Sequence, residues 1–288
     1  QLNDGHGKFK DIANYSGVQA SEWSWGALMF DADNDGYNDL YVCNGIYHDL
    51  TNQDFLSFDA NEIKEQMLAS GKKNMADLVK KIPSIAVPNK MYRNLGNLKF
   101  ADEGVNWGFA ENSFSNGAAY ADLDNDGDLD LVVNNVNEPA FVFKNNSNQQ
   151  HKNNFIGVNL KGSSKNTFAI GSKILIYKSK EGYSREVMPS RGFQSSVEYR
   201  QVIGIGAFKE IDSMLIIWPD RSFTKILSPA INAYNNYTQP VNGEKIKEIN
   251  TIKPQMLFEK INTGVEKNAD DDFIDFYNKI NCPFIQYI

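Results

Sequence analysis

The sequence predicts an all-β chain: short-strand repeat units carrying acidic loops and a helical insertion, followed by a small β domain. Two observations carry this expectation. Displaced by 91 positions, residues 3–44 lie over 94–135 without a gap, and 18 of the 42 positions are identical. From about Asn153 onward the acidic loops stop, and short apolar runs alternate with glycine-rich turns.

The identical positions include Asn3/Asn94, Gly5/Gly96, Phe9/Phe100, Gly26/Gly117 and Ala27/Ala118. A shorter spacing is nested inside the repeat: Tyr92-Arg93-Asn94 is echoed 51 positions later by Phe143-Lys144-Asn145. A unit of about 50 residues built from short strands suits one four-stranded β-propeller blade. The first unit then holds roughly 40 extra residues, between about Ile46 and Lys90. This insertion reads as helical. Asp59 to Glu62 fits a capping box, Ile63, Met67 and Leu68 share one face, and Gly71 ends the helix. A second short helix is expected from Met75 to Ile82, with Leu78, Val79 and Ile82 on one side and Pro83 as its stop. With Phe55 and Phe58 the insertion is too apolar for a solvated loop; it either docks a partner or folds back on its own blades.

Each repeat carries one acidic loop, Asp31-Ala32-Asp33-Asn34-Asp35-Gly36-Tyr37-Asn38-Asp39 and Asp122-Leu123-Asp124-Asn125-Asp126-Gly127-Asp128-Leu129-Asp130. Carboxylates at positions one, three and five converge if the chain wraps around a point, and glycine at six permits the sharp turn. Tyr37 and Asp128 offer backbone carbonyls at seven, and Asp39 and Asp130 close the cage at nine. Hard oxygen ligands in this number select Ca2+, one ion per loop. An EF-hand needs a bidentate acid at position twelve, where Val42 and Val133 stand, and its flanking segments are helices. Here the flanks, Leu40-Tyr41-Val42 and Leu131-Val132-Val133, are β-rich.

The formal charge of -7 is concentrated in these loops, and the chain has no basic stripe for nucleic acid. No apolar run approaches the ~18 residues of a membrane span. The two cysteines, Cys43 and Cys282, form neither a disulfide framework nor a zinc pattern, and Cys43 reads as a buried hydrophobe. There is no Gly-x-Ser-x-Gly elbow, His-Glu-x-x-His pair or phosphate-binding glycine loop. The aspartates that could form a glycosidase pair are already explained as metal ligands. Trp23, Trp25, Tyr47 and Trp107 could stack on sugars, but each taken singly reads as packing.

The loops, with Gly26-Ala27, Gly117-Ala118 and the Asn-x-Gly-x-x-x-Phe elements, resemble FG-GAP (VCBS-type) repeats. Integrin α-chain propellers are the familiar members, and the resemblance implies structural calcium held by Asp31, Asp33, Asp35, Tyr37 and Asp39, and by Asp122, Asp124, Asp126, Asp128 and Asp130. The later segment resembles the ASPIC/UnbV domain. The residues that carry this are Asn159-Leu160-Lys161-Gly162, Asn166 with Ala169-Ile170-Gly171, Gly192-Phe193-Gln194-Ser195, Gly204-Ile205-Gly206 and Ile217-Trp218-Pro219-Asp220. Cartilage acidic protein and large Bacteroidetes surface proteins share this pairing, and the insertion and Trp23-Ser24-Trp25 look more like the bacterial kind.

The expected division is FG-GAP β-propeller blades over 1–150 with the helical insertion at 46–90, an ASPIC/UnbV-like β domain over 153–240, and the start of a further propeller repeat block over 250–288. A partial propeller implies a fragment of a longer chain. The function expected is a non-catalytic, calcium-stabilised binding or scaffolding segment of a secreted or cell-surface protein. For a bacterial source the resemblance implies an accessory subunit of an outer-membrane nutrient-uptake complex, with a TonB-dependent transporter and a SusD-like lipoprotein as partners. A glycan-binding adhesion module is the alternative, and a carbohydrate-active enzyme the more remote one.

Overall fold

The computed structural model describes residues 1–246 except 50, 56, 58–60, 62–64, 66–78, 80–81, 151, 164 and 180. The capping box at Asp59–Glu62, the face of Ile63, Met67 and Leu68, the stop at Gly71, the apolar Phe58, Met75 and Leu78, Cys282 and the block from 250 lie outside the described residues. The described residues are mostly β with little helix.

A short hairpin, β1 (Leu2–Asn3) with β2 (Phe9–Lys10), opens the chain and is followed by a single helical turn, Ala13–Ser16. Next come β3 (Ser24–Phe30) and β4 (Asp39–Asn44), which flank the first acidic loop and pair antiparallel, with Phe30 opposite Asp39. After the insertion, β5 (Val87–Pro88) leads into β6 (Lys90–Asn94) and β7 (Phe100–Asp102). β4 pairs with β6, with Leu40 opposite Tyr92, giving a four-stranded antiparallel sheet in the order β3-β4-β6-β7. The sheet is therefore offset from the sequence repeat by one hairpin: Tyr92-Arg93-Asn94 completes the first sheet rather than opening the second. β8 (Asn112–Ser113) pairs back to β5. β9 (Ser115–Ala121) and β10 (Asp130–Asn135) flank the second acidic loop, and β11 (Phe141–Phe143) joins β10 in a three-stranded sheet.

Within the insertion, Asn61, Glu65 and Val79 are helical. Phe55 (3% exposed) and Ile82 (8%) are buried, whereas Val79 is exposed. The Asp49 amide donates to Pro83 O at 3.0 Å, which ties the two ends of the segment together.

After a second helical turn, Ser147–Gln150, the chain forms β12 (Asn154–Lys161), β13 (Lys173–Lys178), β14 (Glu181–Glu186), β15 (Gln201–Gly206), β16 (Ser213–Ile217), β17 (Phe223–Leu227) and β18 (Tyr234–Thr238). They build two sheets, β15-β12-β18 and β14-β13-β16-β17. β12 and β18 run parallel, and every other pair here is antiparallel. Alternate residues point inward, as a strand's two-residue period requires: Ile174 and Ile176 from β13 and Met214 and Ile216 from β16 meet Ile156, Val158, Ile203 and Ile205 in one core. Trp218 closes it, with its indole Nε1 donating to Thr224 Oγ1 at 2.9 Å.

The other core lies between the two repeat sheets. Leu28, Phe30 and Tyr41 cluster with Leu131 and Val133, and Phe155 and Val202 from the later strands and Val197 from the segment before β15 belong to the same cluster. Apolar burial is roughly proportional to area removed from water, so this shared cluster binds the later strands to the repeats. Cys43 is fully buried here, and burial pushes its thiol up to about 12; it is a core filler rather than a nucleophile.

Candidate metal centres

Both acidic loops are held by the same network of hydrogen bonds. The amide at position six donates to the position-one carboxylate, Gly36 to Asp31 Oδ2 at 2.9 Å and Gly127 to Asp122 Oδ2 at 2.8 Å. The amide at seven donates to position five, Tyr37 to Asp35 Oδ1 and Asp128 to Asp126 Oδ1. The amide at two donates to position nine, Ala32 to Asp39 Oδ2 at 3.0 Å and Leu123 to Asp130 Oδ2 at 2.8 Å. Gly36 and Gly127 have φ of +97° and +89°, and Asn34 and Asn125 are also left-handed, at 57° and 63°. Asparagine tolerates that region better than most side chains, so position four is selected by the turn.

An asparagine at the end of the next strand, or two residues beyond it, clamps each loop. Asn94 donates its amide to Asp39 Oδ1 (2.8 Å) and its Nδ2 to Asn38 O (2.9 Å); Asn145 does the same to Asp130 Oδ1 (2.8 Å) and Leu129 O (3.1 Å). The neighbours Arg93 and Lys144 reach the carboxylates: Arg93 lies 2.9 Å from Asp33 and 3.6 Å from Asp35, and Lys144 bonds Asp124 and lies 3.8 Å from Asp126. These clamps are what the 51-residue echo encodes. Their role is not apparent until β6 and β11 are placed beside the loops.

The expected ligands gather unequally. Asp31, Asp33 and Asp39 bring one oxygen each within 4.8 Å of one another, and so do Asp122, Asp124 and Asp126. Asp35 lies outside the first group and Asp130 outside the second; Asp130 gives both oxygens to backbone amides. The Asp128 carboxylate accepts from Ser147 Oγ (3.0 Å) and from the Asn148 amide (2.9 Å), so its side chain caps the helical turn. Tyr37 leaves its ring exposed. The first group is the more buried: Asp31 is 2% exposed and its Oδ1 has no hydrogen-bond partner. A buried carboxylate oxygen left unsatisfied is costly, and a divalent cation of hard character fits it.

Burial dominates the electrostatics. It raises Asp31 well above the usual carboxylate range, with Arg185 opposing and Asp35, Asp39 and Asp33 adding to the rise. It pushes Asp39 up to about 7 against the amides of Asn94 and Ala32, and raises Asp35, Asp126 and Asp128 as well. Asp124 is lowered by its bond to Lys144. Three carboxylates converging in each loop store repulsion that protonation or a cation relieves.

Both loops face the later strands. Asn153 Nδ2 donates to Asp33 O at 2.8 Å, and the Gly206 amide donates to Asn34 O at 2.9 Å. Arg185 lies 3.8 Å from Asp31 Oδ2. At the second loop, Arg200, Glu198 and Tyr234 bond Asp122 and Asn125. Arg191–Ser195 runs against the inner strands of the two repeat sheets, β3 and β9: a Cβ on Gly26 would lie 3.0 Å from Asn116 O and 3.3 Å from Phe193 N, and one on Gly117 would lie 3.1 Å from Phe193 O. The repeated glycines are therefore close-approach positions. No local signal in the sequence pointed to Arg185, Glu198, Arg200 or Tyr234.

Of the four aromatics considered for sugar stacking, Trp107 packs against the repeat core and Tyr47 against Phe114. Trp25 packs against Phe193 and donates its Nε1 to Gly45 O while remaining 40% exposed, and Trp23 is 37% exposed.

Residues 82–133 match the FG-GAP-like repeat family, and residues 162–243 match the ASPIC and UnbV family. Cartilage acidic protein 1 of Xenopus tropicalis is 26% identical over 314 residues, an alignment covering 98% of this chain and 47% of that protein. The chain thus spans about half the length of that relative. No helix among the described residues is long and apolar enough to cross a membrane. The chain carries FG-GAP-like and ASPIC/UnbV domains, which are non-catalytic structural and binding modules.

Proposed function

We propose that this chain is a calcium-stabilised binding or scaffolding segment of a secreted or cell-surface protein, with one ion in each acidic loop. The ligand set is Asp31, Asp33, Asp35, the Tyr37 carbonyl and Asp39, and Asp122, Asp124, Asp126, the Asp128 carbonyl and Asp130. The observation that carries the reading is the duplicated cage, with carboxylate oxygens converging in both loops and a buried Asp31 oxygen lacking a partner. Ca2+ would neutralise the crowded carboxylates and fix each strand-loop-strand corner. The similarity to a cartilage protein supports an extracellular or surface location.

The division proposed is repeat blades over 1–150, the ASPIC/UnbV-like domain over 153–240 and a further repeat block over 250–288. The insertion at 46–90 is proposed as the partner-docking element. Protein partners at the cell surface, of the TonB-dependent transporter and SusD-like kind for a bacterial source, rest on the resemblance. Glycan binding is the weaker alternative, since Trp107 and Tyr47 are engaged in packing and only Trp23 and Trp25 leave part of their rings exposed.

Calcium titration and thermal melting of the intact chain test the reading. Two ions are expected, and at a hundredfold excess over Kd each adds about 2.7 kcal/mol to stability. Asp33→Ala and Asp124→Ala should each remove one ion. A melting temperature indifferent to chelator would overturn the reading.

A further inference from the structure

The acidic loops are not free corners of the repeat sheets. Asp122 is gripped on three sides by residues of the ASPIC/UnbV region. Its amide donates to Glu198 Oε2 at 3.1 Å, its carbonyl accepts from Arg200 Nη2 at 2.9 Å, and its carboxylate Oδ2 accepts from the Tyr234 hydroxyl. The three grips reinforce one another. Arg200 also bonds Glu198 and donates to Asn125 Oδ1 at 2.6 Å, and its guanidinium lies 4.8 Å from the centre of the Tyr234 ring. Arg200 directly precedes β15, Glu198 lies two residues earlier, and Tyr234 opens β18, so the two outer strands of one sheet set all three groups.

The first loop is held by its backbone. Asn153 and the Gly206 amide take the carbonyls of Asp33 and Asn34. Gly204 is pressed so closely that a Cβ there would lie 2.2 Å from Asp31 Oδ2 and 2.6 Å from Asn34 Cα. The loops also touch: Asn34 Nδ2 donates to Gly127 O at 3.0 Å.

A metal ligand binds tightly when groups behind it fix its orientation, and loss of such a group typically costs ~10–100-fold in metal affinity. Binding free energies coupled in one direction are coupled equally in the other. We propose that the ASPIC/UnbV domain completes the two acidic sites, with Tyr234 positioning the Asp122 carboxylate and Arg200 holding the Asp122 backbone carbonyl and the Tyr234 ring, so that cation binding and the seating of this domain on the repeats form one linked equilibrium. This rests on the calcium reading above.

Two measurements on the intact chain decide it. In calorimetric titration with Ca2+, Tyr234→Phe keeps the ring and removes the donor. It should weaken one of the two sites about tenfold and leave the other unchanged, a split that general destabilisation would not give. In hydrogen exchange of the unmodified protein, chelator should release the loop amides and, with them, the Gly206 amide that bonds Asn34 O. Wild-type affinity at both sites in Tyr234→Phe, or exchange confined to 31–39 and 122–130 on chelation, would overturn the linkage while leaving calcium binding intact. Unmodified protein that takes up no Ca2+ would overturn the linkage together with the reading beneath it.

Discussion

Gly127 shows how tightly a single position is constrained. Its φ is +89°, and a Cβ there would fall 1.9 Å from the Phe155 ring. Left-handed strain and overpacking each cost about 1–3 kcal/mol, so Gly127→Ala should lose about 2–6 kcal/mol, read from denaturant or thermal unfolding. The glycine itself is legible in the sequence, because the sharp turn at position six demands it. The ring that crowds it is not, since Phe155 arrives from another element. Asp39 supports a second test. Its folded-state pKa of about 7 lies above the ordinary carboxylate value near 4, because burial disfavours the charge. The folded chain therefore holds this proton more tightly than the unfolded chain. That contribution is fully present below about pH 4 and is lost as pH rises through about 7. The raised Asp31, Asp35, Asp126 and Asp128 act in the same sense. In chelator, the melting temperature should fall as pH rises from 5 to 8, and saturating Ca2+ should remove most of the fall.

Among the elements, the strands around each loop follow from their sequence. Leu40-Tyr41-Val42 and Leu131-Val132-Val133 are β-rich and form β4 and β10. Strand pairing was less legible. The repeat places Tyr92-Arg93-Asn94 at a unit boundary, while the register of Leu40 opposite Tyr92 assigns it to the first sheet. Sequence self-similarity has no preferred starting point, whereas a sheet must close its own hydrogen bonds. The insertion divides similarly. Its apolar content signalled a need for cover, and Phe55 and Ile82 show that part of the cover is the protein itself. Phe55→Ala should cost about 3–5 kcal/mol, the range for a buried aromatic, seen as a lower melting temperature at unchanged calcium stoichiometry. Excision of 52–84 should then destabilise the chain and not only remove a docking surface. Unaltered stability in Phe55→Ala would restore a purely partner-facing role.

At the scale of the molecule, residues 1–246 cluster as one unit although the sequence changes character near Asn153. Composition could mark that change, but not the contact across it, because the seam is built from positions far apart in the chain. Phe155, Val197 and Val202 complete the repeat core. Gly192 and Phe193 lie where the inner strands leave room: a Cβ on Gly192 would meet Leu28 at 3.1 Å, and Phe193 packs on Trp25 with ring centroids 5.2 Å apart. A shared apolar cluster and a wedge between two glycine-bearing strands couple the two regions, so in calcium they should unfold together. Two-state behaviour gives equal calorimetric and van't Hoff enthalpies. Phe193→Ala removes the wedge while leaving the core of the later sheets, the shared cluster and all ten proposed ligand positions in place. The expected result is separation of one calorimetric transition into two, with the calcium-dependent stabilisation confined to the transition of the repeats. If Phe193→Ala lowers the melting temperature but keeps one transition with equal enthalpies, the shared core around Phe155 and Val202, rather than the wedge, carries the coupling.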